Sequence, residues 1–144
     1  MWQDKVISGS FDDTIRVWGV STGELETTLS IHTRTVTALL VHGDFLFSAS
    51  DDGTIQKWAA GAWGLLQTVE AADGAVWCLA VSGSNFVSGS WDFSDHGEKV
   101  QVWSLETLAC EHTLPQRGPV RPLMSVRGKV WGGVGKEVVV WGRA

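Results

Sequence analysis

Residues 8–18 read SGSFDDTIRVW, and residues 48–58 read SASDDGTIQKW. Both stretches follow the pattern Ser-x-Ser-x-Asp-x-Thr-Ile-x-x-Trp, and their tryptophans stand 40 residues apart. Self-similarity at a fixed period of about 20 to 50 residues is the signature of a repeat architecture. The repeat therefore indicates the fold before any single residue suggests a function.

Two looser copies follow in the same phase. Ser88 and Trp103 take the first and last places of a third copy, and Trp141 closes a fourth copy that begins near Gly132. Successive closing tryptophans are 40, 45 and 38 residues apart. The longer third copy is explained by an insertion near residues 93–97. The chain therefore contains four units of one supersecondary structure.

Each unit is predicted to contain short strands separated by Gly, Asp and Ser turns. In the second unit the strands are predicted at 35–41, 45–50, 54–58 and 65–69. The first unit begins at the second of these strands and the last unit ends at the third, so the prediction is 14 strands in an all-β chain. The predicted units are 1–30 (partial), 31–70, 71–115 and 116–144 (partial).

Composition excludes several function classes. Of the 144 residues, 44% are hydrophobic and 19% charged, as in a globular protein. The net charge is −5, and the eleven Lys and Arg are scattered, so we predict no nucleic-acid partner. No apolar stretch of about 18 residues and no basic, apolar N-terminus are present, so we predict no membrane partner and a cytoplasmic or nuclear location. Cys78 and Cys110 lack metal-site spacing and are predicted to be reduced, packed thiols.

These repeats resemble the WD40 repeat family, and the resemblance covers nearly the whole chain as about three and a half blades. It implies four-stranded antiparallel β-propeller blades, each held by a hydrogen-bonded chain of His, Ser, Asp and Trp. The second unit matches all four places with His32, Ser48, Asp52 and Trp58. Ala72 replaces the histidine in the third unit. The partial matches elsewhere are Asp12, Trp18, Ser88, Asp92 and Trp103.

Fourteen strands do not make an ordinary closed ring, because propellers close with about four to eight blades. Two explanations follow from the count. In the first, the chain is part of a longer protein that supplies the remaining blades. In the second, two copies of the chain close one ring, since unpaired strand edges are covered in symmetric assemblies. The residues alone leave both open.

The resemblance also implies an interaction platform on one face of the ring. Phe11, Asp51 and Trp91 precede the turn aspartate and are expected to point toward that face. The alternative is that the aromatic rings pack on neighbouring blades. The second expectation is that three arginines form a patch that binds an acidic or phosphorylated peptide. The alternative is that the three arginines are unrelated and solvated. The three arginines are Arg34, Arg117 and Arg121.

No motif that carries catalytic chemistry is found. The chain lacks a Gly-x-Ser-x-Gly elbow, a P-loop, a dinucleotide fingerprint and His-Glu-x-x-His, so we predict no enzyme and no cofactor. The loop 92–98 holds three carboxylates and a histidine, and we interpret it as a solvated acidic loop, not a metal site. The predicted function is a non-catalytic scaffold that binds a protein or peptide. The alternative is a self-assembling half-propeller, a homodimer with a structural or small-ligand role.

Overall fold

The computed structural model describes residues 4–91, 98–116, 118–127, 129–134 and 136–141. These residues form 14 β-strands and contain no helix, so none of them belongs to a helix that crosses a membrane. The strands are β1 (Lys5–Gly9), β2 (Ile15–Gly19), β3 (Leu25–Leu29), β4 (Val36–His42), β5 (Phe45–Ser50), β6 (Thr54–Ala59), β7 (Leu65–Glu70), β8 (Ala75–Ser82), β9 (Asn85–Trp91), β10 (Lys99–Ser104), β11 (Cys110–Pro115), β12 (Val120–Val126), β13 (Lys129–Val134) and β14 (Glu137–Trp141).

The strands make four antiparallel sheets, each built from strands that are consecutive in the chain. We number them sheet 1 (β1–β3), sheet 2 (β4–β7), sheet 3 (β8–β11) and sheet 4 (β12–β14). The all-β fold class and the count of 14 strands are confirmed. Individual strand ends differ by about one residue from prediction. For example, β4 ends at His42 because that residue still pairs with Phe45 across the Gly43–Asp44 turn.

The core lies between neighbouring sheets. A first cluster joins Ile15 of sheet 1 to Leu46 and Trp58 of sheet 2. A second cluster joins sheets 2 and 3, where the rings of Phe47 and Phe86 have centroids 5.1 Å apart. A third cluster joins sheets 3 and 4. Since sheets 2 and 3 have neighbours on both sides, strands such as β5 and β9 are buried along most of their length.

The first strands of sheets 2, 3 and 4 contact one another and share one irregularity. Their register shifts directly after a valine at or next to the start of each strand, between Val36 and Ala38 in β4, Val76 and Cys78 in β8, and Val120 and Leu123 in β12. A β-bulge redirects a side chain at the edge of a sheet. The Thr37 hydroxyl lies within hydrogen-bond distance of two carbonyl oxygens, that of Ala49 at 3.0 Å and that of Val76 in the next sheet, and they share its single proton. Trp77 and Arg121 take the same place in β8 and β12.

Candidate protein-binding rim

A cavity of about 280 Å³ opens beside these bulges. Its lining comes from the Asp13 turn of sheet 1, from the segment that precedes β4, from the turn after β5, and from the start of β8. The lining residues are Asp13, Thr33, Arg34, Thr35, Asp51, Ala75 and Trp77. Three successive sheets therefore contribute to one concave surface, which we call the rim site.

Trp77 contacts one other residue of this lining and two side chains beside it. Its indole Nε1 donates to Asp51 Oδ1 at 3.2 Å, and its ring lies against that of Trp91, with centroids 4.6 Å apart. The Arg121 guanidinium carbon lies 3.7 Å from the Trp77 ring centre. A cation over an indole face contributes about 0.5 to 2 kcal/mol. Trp77 is thus held on three sides by residues of sheets 2, 3 and 4.

The structure brings together four of the six residues predicted for the rim. Arg34 and Asp51 line the cavity, while Trp91 and Arg121 contact Trp77. Phe11 is 90% exposed, so its ring does not pack on a neighbouring sheet. Trp91 packs on Trp77 of its own sheet and not on a neighbouring sheet, which puts it beside the cavity. Arg117 lies outside the described residues.

Sequence reasoning did not identify Trp77. A signal was present, because Thr37, Trp77 and Arg121 each follow a valine at or next to the start of the first strand of their sheet. Strict alternation along a strand does not show that this place is a bulge. Only the pairing between strands shows that these side chains turn toward the neighbouring sheet.

The predicted hydrogen-bond chain is present in sheet 2. Trp58 Nε1 donates to Ser48 Oγ at 2.9 Å, and Ser48 Oγ lies 2.8 Å from His32 Nε2. His32 Nδ1 lies 3.0 Å from Asp52 Oδ2, which also accepts the Thr33 N–H. Trp donates only, so the Ser48 hydroxyl accepts from Trp58 and donates to His32 Nε2, and the other ring nitrogen, Nδ1, donates to Asp52. All members have partners, which makes this buried network favourable.

The charge of Asp52 is stabilised by this network. Burial raises the pKa of its carboxyl, but hydrogen bonds from the Thr54 hydroxyl, from the backbone of Thr33 and Thr54, and from His32 outweigh burial and lower it. The net result is a pKa below the ordinary value. Asp52 therefore accepts hydrogen bonds as a carboxylate at neutral pH.

The network is shorter in the other units. Trp103 Nε1 donates to Ser88 Oγ at 2.8 Å in sheet 3, and Trp18 Nε1 donates to Ser8 Oγ at 3.1 Å in sheet 1. Asp12 instead accepts from Thr14 and pairs with Arg16; the Thr14 hydroxyl, followed by Arg16, lowers its pKa. Asp92, the remaining residue predicted for this network, lies outside the described residues.

The acidic loop and the two cysteines are the residues considered above as metal ligands or thiols. No three His, Cys, Asp or Glu side chains gather there as a metal site, and residues 92–97 of the predicted acidic loop lie outside it. Glu98 accepts the Gly118 N–H at 2.7 Å. Both cysteines are free, as predicted, and burial raises the pKa of Cys78 to about 11. The prediction that both are packed is wrong for Cys110, which is exposed because it lies on the outermost strand of sheet 3.

Comparison with known proteins relates this architecture to one family. The family profile described as "WD domain, G-beta repeat" (WD40) matches residues 23–59 and 63–104. Pre-mRNA-processing factor 19 of Mus musculus is 32% identical over 126 residues, which cover 81% of this chain and 25% of that protein. Nuclear distribution protein nudF of Aspergillus niger is 30% identical over 93% of this chain and 32% of its own length. The chain thus spans a quarter to a third of these relatives.

Two solved structures show the same fold over almost the whole chain. The computationally designed Ika4 protein superposes with a TM-score of 0.84 and 29% identity, covering 98% of this chain and 86% of that one. The computationally designed Ika8 protein gives a TM-score of 0.83 and 30% identity, covering 97% of this chain and 43% of that one.

Proposed function

This chain belongs to the WD40 repeat family, and we propose that it is a non-catalytic protein-binding module whose partner docks on the rim site. The family relationship supports a role in protein interaction. The identity of the partner is not inferred from any one relative, because the chain covers 25% of the length of one relative and 32% of the length of another. The proposal includes neither catalysis nor a cofactor, and it places the protein in the cytoplasm or the nucleus.

The observation that carries the proposal is the held position of Trp77 between Asp51, Trp91 and Arg121. Trp and Arg are the residue types that most often dominate the binding energy of a protein interface. A side chain that is already held loses little conformational entropy when a partner binds. The rim site therefore combines a suitable composition with preorganisation.

The class of partner follows from the two arginines. Arg34 and Arg121 are exposed at the rim, although the whole chain carries a net charge of −5. A guanidinium binds a carboxylate or a phosphate through two parallel hydrogen bonds. Asp51 is already bonded to the Trp77 indole. We therefore expect a peptide segment that places an acidic side chain at the arginines and apolar surface on the indoles.

The proposal is tested by selecting binding peptides from a random library and locating them by NMR. The indole N–H signals of the nine tryptophans serve as probes, each assigned by replacing one tryptophan. Binding at the rim site shifts the signals of Trp77 and Trp91, whereas Trp58 and Trp103 are buried between sheets and serve as internal controls. Peptides that bind without moving the Trp77 signal would contradict the proposal.

A further inference from the structure

The last sheet exposes a broad apolar face. In sheet 4, Met124, Trp131 and Val140 lie side by side across three strands, and Val126 and Val138 lie on the same face. All five are exposed, with Trp131 at 39% and Val138 at 75%. The opposite face, with Leu123 and Val130, packs on sheet 3. Contiguous exposed apolar surface of this kind marks an interaction site.

The interior sheets show what normally covers this face. By strand register, Trp131 takes the place of Phe47 in sheet 2, and Val138 takes the place of Ile55. Both Phe47 and Ile55 are fully buried, because that face of sheet 2 packs on sheet 3. The exposed face of sheet 4 therefore repeats a face that is an interface elsewhere in the same molecule.

The first sheet exposes the complementary face. Val6, Trp18 and Leu25 lie side by side across β1, β2 and β3. In sheet 2 the same places are held by Leu46 and Trp58, which are buried against sheet 1. Val6 is 53% exposed, because no described residue covers this face of sheet 1 in the way that sheet 1 covers the corresponding face of sheet 2. Neighbouring sheets pack on each other at three interfaces within the chain. The two faces that form such an interface are both exposed, one on sheet 1 and the other on sheet 4.

We propose that the occupant of both faces is a second copy of this chain, with sheet 1 of each copy packed on sheet 4 of the other. The internal contact between Phe47 and Phe86 is the template for this packing. By strand register, Trp131 takes the place of Phe47 and Val6 takes the place of Phe86, so Trp131 of one copy packs against Val6 of its partner. The same correspondence places Val138 against Trp18. Two such contacts close a two-fold ring of eight sheets, within the range of closed propellers.

Self-association fits better than an unrelated partner because one chain supplies both faces. A different partner would have to match two separate surfaces at opposite ends of the row of sheets, whereas a second copy matches both by repeating a packing already present. The two solved chains show that a four-sheet unit can be about half of a larger chain. This chain covers 86% of one solved chain and 43% of another at nearly equal TM-scores, so a unit of this size occurs alone and as about half of a longer chain.

The chemistry of the new contact is also suitable. In sheet 2 the place next to Phe47 holds Lys57, whose buried Nζ donates to the Leu105 and Glu106 carbonyls between β10 and β11 of sheet 3. In sheet 4 the same place holds Val140. The second-copy contact therefore buries valine where the internal one buries an amine, and no charge loses its solvation there.

The test is the absolute mass in solution, measured by light scattering over a wide concentration range. The expected mass is twice 15.6 kDa. Val138→Glu in sheet 4 and Val6→Glu in sheet 1 are each expected to give 15.6 kDa, while Leu66→Glu, at an exposed leucine of sheet 2, keeps the double mass. Circular dichroism checks that each variant is folded. Trp131→Ala, a milder change, is expected to raise the dissociation constant tenfold or more.

A wild-type mass of 15.6 kDa at every concentration would overturn the proposal, as would a double mass that Val138→Glu, Val6→Glu and Trp131→Ala all leave unchanged. A mass that grows without limit would overturn the closed ring, since open head-to-tail contacts make filaments. The rim site lies on different residues, so failure of this inference is separate from failure of peptide binding.

Discussion

The guanidinium of Arg121 lies over the indole ring of Trp77, 3.7 Å from its centre. The two residues come from the first strands of neighbouring sheets, and each lies in the bulge that follows a valine, Val76 in β8 and Val120 in β12. This contact of the candidate site is therefore positioned by two strands of the fold. Rigid elements hold a binding site more precisely than loops do.

The complete hydrogen-bond network should stabilise sheet 2 more than the short network stabilises sheet 3. Ser48→Ala leaves both the Trp58 indole N–H and the Nε2 atom of His32 without a partner, whereas Ser88→Ala removes the acceptor of the Trp103 indole alone. An unsatisfied buried polar group costs about 1 to 3 kcal/mol. We expect Ser48→Ala to lower the free energy of unfolding by about 1 to 2 kcal/mol more than Ser88→Ala does. Urea unfolding measures the difference, and equal losses would contradict the network.

Stability should fall in acid through Asp52. The folded-state pKa of Asp52 lies below its ordinary value of about 3.9. A lowered pKa means that the folded state holds the proton less tightly, so the stabilisation is complete above the ordinary value and is lost as the pH falls through the folded-state pKa. Asp52→Asn should be less stable at pH 7 and should show a shallower loss between about pH 5 and pH 2. Urea midpoints across this range measure both effects. Glu24→Gln, in an exposed turn, is the control, and an unchanged slope in Asp52→Asn would count against the assignment.

Two glycines with positive φ should respond differently to alanine. Gly53 has a φ of 85°, and an added Cβ would meet the Ala72 and Gly74 carbonyl oxygens of the next segment. Gly43 has a φ of 56° with open space around it. Left-handed backbone alone costs a non-glycine residue about 1 to 2 kcal/mol. Gly43→Ala should cost about that much and Gly53→Ala clearly more, as thermal unfolding would show; a Gly53→Ala protein as stable as Gly43→Ala would contradict the close approach.

The two thiols should differ in reactivity. Burial raises the pKa of Cys78 to about 11, while Cys110 is exposed on the outermost strand of sheet 3. Thiolates are the reactive species, so a maleimide at pH 7 should label one thiol per native chain and two after unfolding. Mass spectrometry should locate the native label at Cys110, and Cys110→Ser should abolish it. Rapid labelling of Cys78 in the native protein would contradict its position between sheets 3 and 4.

Much of the fold follows from the sequence because the repeat is local. The spacing of Ser48, Asp52 and Trp58 predicts a strand, a turn and a strand, and all three side chains lie where that pattern puts them. Strand ends differ by about one residue, because the last pair of a hairpin depends on its turn.

The rim site was only partly predictable. Arg34 and Arg121 are 87 residues apart in the sequence, and the position of each beside Trp77 or its cavity depends on how three sheets pack. Trp77 needs the bulge in β8, which arises from pairing with β9 and not from any pattern within one strand. Exposure is likewise non-local, since Val138 and Ile55 take the same place in their sheets and yet one is exposed and the other buried.

The central claim, that the rim site binds an acidic peptide, is tested most directly by reversing one charge at each end of β12. Arg121 and Arg127 are both exposed arginines of this hairpin, but only Arg121 contacts Trp77. Isothermal titration calorimetry with a selected peptide measures the dissociation constant of each variant. We expect Arg121→Glu to weaken binding by about 2 kcal/mol, or about 30-fold, because a charged hydrogen bond is lost. Arg34→Glu added to it should weaken binding further, while Arg127→Glu should leave the dissociation constant unchanged. Equal affinity for wild type and the Arg34→Glu, Arg121→Glu double variant would contradict the account.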